Sequence, residues 1–278
     1  MEKQENPAQV AAMRVAAGLP RALMGGTAGM RAAGRTFLPQ HPAEADAHYR
    51  ARLSRAVLRN FFGRTVEVVC GKLFADDLEI GDDVSEALRG LFSDADLTGR
   101  SISQVARQVF EAALVDGMAA VLVEYPRLPE ARSLAEEREM GGRPYLVPLT
   151  LDQIVGVRWG QRHWVPVLEQ LRIRQVVDQP DGEFGAAEVE EIRVIEPDRW
   201  QVYRADDRGR WTLAENGVNP LGVVPVVPVY AGRTGLFEAR SPLRDLAWMN
   251  LEHWQIRSDQ RNALNVASFP ILAASGCT

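Results

Sequence analysis

SISQVARQVFEAALVDGMAAVLVEYP, residues 101–126, is the stretch whose reading decides the fold class. Ser101 and Gln104 stand three apart, a capping-box pair at the head of an apolar helical run, and Gly117 supplies the stop. Directly after that stop, Ala119 to Pro126 is an apolar, β-branched run of strand length that ends in proline. A helix that hands over at once to a buried strand requires a mixed fold. The texture on either side then says how helix and strand are distributed.

Upstream the pattern is helical. Tyr49, Leu53, Val57 and Phe61 recur every four residues and predict one amphipathic helix over about 43–62, with His48, Arg52, Arg55 and Arg59 on another face. Gly63 is a candidate break, and RTVEVVCGKLF after it reads as a further buried helix. Asp83 and Glu86 resemble a second capping box ahead of ALRGLF. The segment MGGTAGMRAAGRTFLPQHP, with four glycines and two prolines, reads as an irregular lead-in, so that 1–42 stands apart from a domain spanning 43–240.

Downstream, Ser133 and Glu136 cap a short charged helix that Gly141-Gly142 ends. After Arg143 the periodicity changes to two. PYLVPLT, IVGVRWG, WVPVLEQLRIRQVVD, EVEEIRVIEP, RWQVYRAD and RWTLAE are candidate strands, with Asp181-Gly182, Asp207-Arg208-Gly209 and Asn216-Gly217 as turns. Alternation in Val189–Ile195 and Trp200–Tyr203 predicts antiparallel pairing with one wet face. Pro225 and Pro228 inside LGVVPVVPVYAG confine that run to a sheet edge or an arm. The fold class is therefore α+β: helical N-terminal part, mostly antiparallel sheet, then a long helix.

That helix opens at the Ser241-Pro242 cap and runs to about Val266, roughly 36 Å at 1.5 Å per residue. Arg244, Asp245, Glu252, Arg257, Asp259 and Arg261 alternate around Leu246, Met249, Ile256 and Leu264. Apolar groups on more than one side predict a continuous helix, over 241–267, that protrudes and buries little within its own subunit. Pro270 ends it, and 268–278 read as the start of a strand.

The 278 residues carry 32 Lys+Arg against 37 Asp+Glu, a formal charge of −5. With 46% hydrophobic and 25% charged residues the composition excludes a disordered polar chain, and the acidic excess disfavours a protein that holds nucleic acid by bulk counterion release. No apolar run is long enough to span a bilayer, so no membrane partner is expected, and the polar start MEKQENPAQV lacks a signal-peptide core. Two cysteines, Cys70 and Cys277, fit a reducing compartment and no disulfide framework.

Catalytic and metal motifs are missing. His41, His48, His163 and His253 stand at no metal spacing. Asp94, Asp96, Thr98 and Gly99 imitate a calcium loop, but Val105 falls where the bidentate Glu belongs, which leaves a solvated turn. MGGTAGM lacks the strand and the Gly-Lys-Ser/Thr of a phosphate loop, no G-x-S-x-G elbow occurs, and Cys70 reads as a small buried hydrophobe. The Arg52, Arg55, Arg59 stripe reads as a solvated helix face, with nucleic acid or a neighbouring subunit's carboxylates as alternative contacts. No enzyme activity, cofactor or metal is expected.

Taken in order, six stretches carry a resemblance: 24–39, 47–74, 96–126, 143–159, 221–235 and 241–272. They are similar to the portal proteins of tailed bacteriophages, within a portal-like family long filed under unknown function. The resemblance implies a homo-oligomeric ring of about a dozen subunits at a capsid vertex, the head–tail connector of the virion. By it, double-stranded DNA passes through the channel without sequence-specific binding. The terminase packaging motor docks during filling, and tail adaptor and capsid proteins are the other partners. Residues up to about 240 would be wing, 241–267 the first stem helix and 268–278 the start of a clip. Against that family pattern this sequence departs by carrying no counterpart of the rest of the clip, the second stem helix, the tunnel loop or a crown. Arg244, Arg257, Arg261, Arg52, Arg55 and Arg59 are the candidate channel or subunit-interface contacts. The alternatives are another virion assembly component, such as an adaptor or scaffold, and a small-molecule enzyme.

Overall fold

The computed structural model describes residues 8–79, 81, 83–126, 133–181, 185–205 and 209–268. The helices are α1 (Ala8–Ala16), α2 (Gly18–Met24), α3 (Gly26–Ala33), α4 (Asp46–Arg55), α5 (Phe61–Leu73), α6 (Glu86–Ser93), α7 (Ile102–Asp116), α8 (Leu134–Glu139) and α9 (Arg244–Ala267). The strands are β1 (Met118–Glu124), β2 (Tyr145–Leu149), β3 (Ile154–Arg162), β4 (Val165–Asp181), β5 (Gly185–Ile195), β6 (Arg199–Ala205), β7 (Trp211–Val218), β8 (Val226–Tyr230), β9 (Arg233–Gly235) and β10 (Glu238–Ala239). The fold is α+β, and every strand pair is antiparallel. The chain divides into two compact units: Met1–Ala17 with Cys70–Pro242, and Gly18–Val69 with Leu243–Thr278. One boundary falls between Pro242 and Leu243, just before the long helix. The others place residues 18–69 with that helix rather than with the β-rich part.

The first unit is organised by the 101–126 stretch. Ser101 accepts the Gln104 N–H, and the Gln104 side chain accepts the Ser101 N–H, so the capping box forms as read. Gly117 ends α7 at φ +93°, and a Cβ there would lie 2.7 Å from the Arg240 carbonyl carbon. β1 then takes the centre of a three-stranded sheet in the order β2–β1–β8. Its alternate residues feed two cores. Ala119 packs with Val105, Val109 and Ala113 of α7, while Ala120 and Leu122 join Val10, Leu149, Ile154, Leu171 and Ile173. That double burial is why the strand reads as unbroken apolar sequence. β8 is an edge, as its prolines require.

β3 to β7 form a five-stranded meander in sequence order. β3 and β4 are joined through His163 and Trp164, both at positive φ (+50° and +66°), a tight turn built without Asn or Gly. The turn expected at Asn216-Gly217 is not one. Gly217 lies inside β7 opposite Trp200, and a Cβ there would come within 2.5 Å of the indole, so this glycine makes room for an aromatic ring. The turn at Asp181-Gly182 and most of that at Asp207-Arg208-Gly209 lie outside the described residues.

Other local expectations shift. Ser85, not Asp83, is the residue before α6. The 94–100 turn is exposed at Leu97–Gly99 but turns one carboxylate inward: Asp96 is buried and accepts from Thr98 N (3.0 Å), Thr98 Oγ1 (2.8 Å) and the Arg100 guanidinium. Those donors outweigh the burial penalty and bring its carboxyl down to about 2.

In the second unit the supposed irregular lead-in is helical. Leu23 and Met30 are fully buried, and the glycines divide: Gly26 and Gly34 take positive φ (+63° and +53°), whereas Gly25 and Gly29 serve close contact. A Cβ on Gly29 would stand 2.6 Å from the Ala22 carbonyl oxygen, so α2 and α3 approach backbone to backbone there. The expected 43–62 helix breaks at Ala56, not at Gly63, which lies within α5. Asn60 makes the break: its Oδ1 accepts from Gly63 N (2.8 Å) and its Nδ2 donates to the Leu23 carbonyl (2.6 Å).

Candidate interaction surface

α9 is continuous over 24 residues. It starts at Arg244, with the Ala247 N–H on the Leu243 carbonyl, while the Ser241 hydroxyl donates to the Leu114 carbonyl. Ala247, Asn250, Leu251, Trp254 and Ser258 form a single buried stripe, which corrects the expectation that the helix buries little. The stripe packs against α2 and α4. Asn250 secures it. Its Oδ1 accepts from Phe62 N (2.9 Å), an orphan donor of the first turn of α5, and its Nδ2 donates to the Arg59 carbonyl (2.9 Å). A polar residue on the apolar stripe was the signal in the sequence for this contact, and the sequence reading missed it.

The far side of α9 carries exposed apolar groups among acids. At about 100° per residue, Met249 and Ile256 fall together, diametrically opposite the buried stripe. Met249 is 66% exposed, Ile256 57%, and Trp248 and Leu264 beside them 58% and 59%. Asp245, Glu252 and Asp259, seven apart, run along the same side. Apolar groups thus stand on more than one side of α9, one set buried inside the unit and the other exposed.

The sequence-derived arginines divide. Arg52 is not on a solvated face: its side chain is 7% exposed. Nε and Nη2 fork onto Glu44 (2.8 Å each), Nη2 also donates to the Pro39 carbonyl (2.8 Å), and Nη1 reaches Asp259 (3.3 Å). The Arg52 hydrogen bond holds the Glu44 carboxyl below its ordinary value, and Glu44 in turn raises the guanidinium. Arg55 donates to the Ala51 carbonyl (3.0 Å), and Arg261 to the Arg55 carbonyl (2.9 Å), so both cap the C-terminal end of α4. Arg59 lies beyond α4 and is exposed; Arg244 is exposed beside Asp245 (3.4 Å); Arg257 is half-buried.

Arg52, Arg55, Ser258, Arg261, Asn262 and Asn265 line a groove of about 330 Å³ between α4 and α9. It is rich in donors, but much of that capacity is spent on helix-end carbonyls and on Glu44. The groove is a structural joint with spare guanidinium N–H groups, suited to a carboxylate side chain or a phosphate oxygen. Among the described residues no group of three or more His, Cys, Asp and Glu could hold a metal ion, and no helix is long and apolar enough to cross a membrane. Cys70 is fully buried, which pushes its thiol up.

A protein-family model described as a domain of unknown function, DUF4055, matches residues 242–278. The match takes in the whole of α9. No curated protein matches the chain.

Proposed function

We propose that this chain is a portal-like subunit: a structural, non-enzymatic protein that assembles with copies of itself into the head–tail connector of a tailed phage. DNA would be packaged and ejected through the ring, with the terminase motor and the capsid and tail adaptor proteins as its partners, and the virion vertex as its location. The observation that carries the reading is the exposed Met249 and Ile256 side of α9, which no described element of its own unit covers. A helix with one face satisfied inside its unit and the opposite face open suits lateral packing in a closed ring, where each copy covers its neighbour. The ordered resemblance across residues 24–272 supports the same reading, and so does an α+β body that leads into a 24-residue helix.

Negative-stain electron microscopy of the purified protein tests it. Rings with a central hole are expected. A small oligomer without a hole favours an adaptor or scaffold, and a monomer at micromolar concentration removes the reading.

A further inference from the structure

The net charge of −5 conceals a separation. Gly18–Val69 with Leu243–Thr278 contain eleven Arg against six Asp and Glu, a formal +5. The remainder carries 21 Lys+Arg against 31 Asp+Glu, a formal −10. Two exposed surfaces express it. On α5, Phe61, Arg64 and Val68 share the side opposite the buried Phe62 and Val66, with Phe61 50% and Val68 42% exposed. Val57 and Arg59, just ahead, are exposed as well, and neither Arg59 nor Arg64 has a carboxylate partner among the described residues. After α5 comes the reverse: Asp76, Asp77, Leu78 and Glu79 are all exposed, and none of the three acids pairs with a described cation. This acidic segment is held in place, since Leu78 N donates to Ser103 Oγ (2.9 Å) and the Phe74 ring meets Phe110 edge-on at 5.9 Å.

We propose that the basic, apolar face formed by Arg59, Phe61, Arg64 and Val68 is a docking surface for a second copy of this chain, which presents its acidic segment Asp76–Glu79. Each surface combines exposed apolar groups with a predominance of one charge that has no opposite partner among the described residues, the exposed Glu67 beside Arg64 being the exception, and the other surface supplies the opposite sign. Where the basic face of each copy meets the acidic segment of the next without reciprocal pairing, the association is head-to-tail, the symmetry class that yields rings when the rotation closes. The inference rests on the ring reading for its partner and adds to it where the contact lies and what strengthens it. Because the pairs sit at exposed positions, the contact is salt-sensitive.

The test uses the full chain in sedimentation velocity at about 0.05 M and about 0.5 M salt. R59E/R64E makes both surfaces acidic, and D76R/D77R makes both basic. Each variant alone is expected to assemble at least about tenfold more weakly at low salt, since like charges then face each other. An equimolar mixture is expected to restore assembly, because copies can alternate. Circular dichroism of each variant verifies folding, and restoration by mixing excludes loss of structure as the cause. Assembly that ignores both reversals overturns the proposal and leaves the ring reading intact. A parent chain that is monomeric at both salt concentrations removes both. Loss that mixing does not restore also overturns it, and if R59E/R64E then loses binding to duplex DNA, the face belongs to nucleic acid.

Discussion

Replacing Arg52 by alanine removes the most heavily used side chain of the second unit. The guanidinium makes two 2.8 Å bonds to Glu44 and a third to the Pro39 carbonyl, and it lies over the Tyr49 ring at 5.4 Å. With side-chain exposures of 7% and 12%, Arg52 and Glu44 are shielded from solvent screening, so the range for breaking a buried pair applies, about 3–5 kcal/mol. The Asp259 contact adds nothing to count, because that carboxylate is 71% exposed. We expect a loss of about 3 kcal/mol, near the lower bound because the vacated site opens to the groove. Arg52→Lys keeps the charge and loses the fork, and should cost about half as much. The pH dependence has a defined sign. Glu44 is depressed in the folded chain, so its contribution is complete above the ordinary glutamate value and fades as pH falls through the folded value. The gap between parent and alanine variant should therefore narrow below about pH 4.5. Urea unfolding gives the magnitude, and amide hydrogen exchange over residues 46–56 and 247–262 assigns the loss to α4 and α9. A loss under about 1 kcal/mol, a lysine variant no better than alanine, or a gap unchanged from pH 7 to pH 3 would refute the reasoning.

Asp96→Asn should cost about 2 kcal/mol at neutral pH, from a carboxyl lowered from 3.8 to about 2, and the cost should vanish as pH falls from 4 toward 2; pH-dependent melting of both proteins checks it. Gly217→Ala drives a methyl into the Trp200 indole and should destabilise by about 1–3 kcal/mol, with hydrogen-exchange protection lost across β6 and β7. Conversely, His163→Asn with Trp164→Gly relieves two bulky residues at positive φ and should raise stability by about 1–2 kcal/mol in denaturant titration. Asn250→Ala leaves the buried Phe62 N–H without its partner and should cost about 1–3 kcal/mol, read as faster exchange at the start of α5.

Particular residues show how far local reading reaches. The Ser101–Gln104 box, the Gly117 stop and the edge position of the Pro225–Pro228 run were all legible, because each depends on partners within a few residues or on a missing N–H. The strands after Arg143 were legible for the same reason, since alternation reports a face without naming what covers it. Asn216-Gly217 misled because a turn dipeptide and a glycine cleared for a cross-strand tryptophan are identical in sequence. Gly25 and Gly29 misled in the same way, as closeness between α2 and α3 resembles looseness.

The amino-acid sequence by itself determined the α+β class, the mostly antiparallel character of the sheet and the long helix after Pro242 with apolar groups on more than one side. Each of these is a periodicity or a cap that acts over a turn or a strand. Only the tertiary structure decided that Arg52 is buried on Glu44, that Arg261 caps α4, and that Asn250 ties α9 to the start of α5. It also grouped residues 18–69 with residues 243 onward, which exposes the charge separation hidden in a net −5. The physical reason is distance along the chain. Asn250 and Phe62 are 188 positions apart, and Arg261 and Arg55 206, so no local pattern records that they meet.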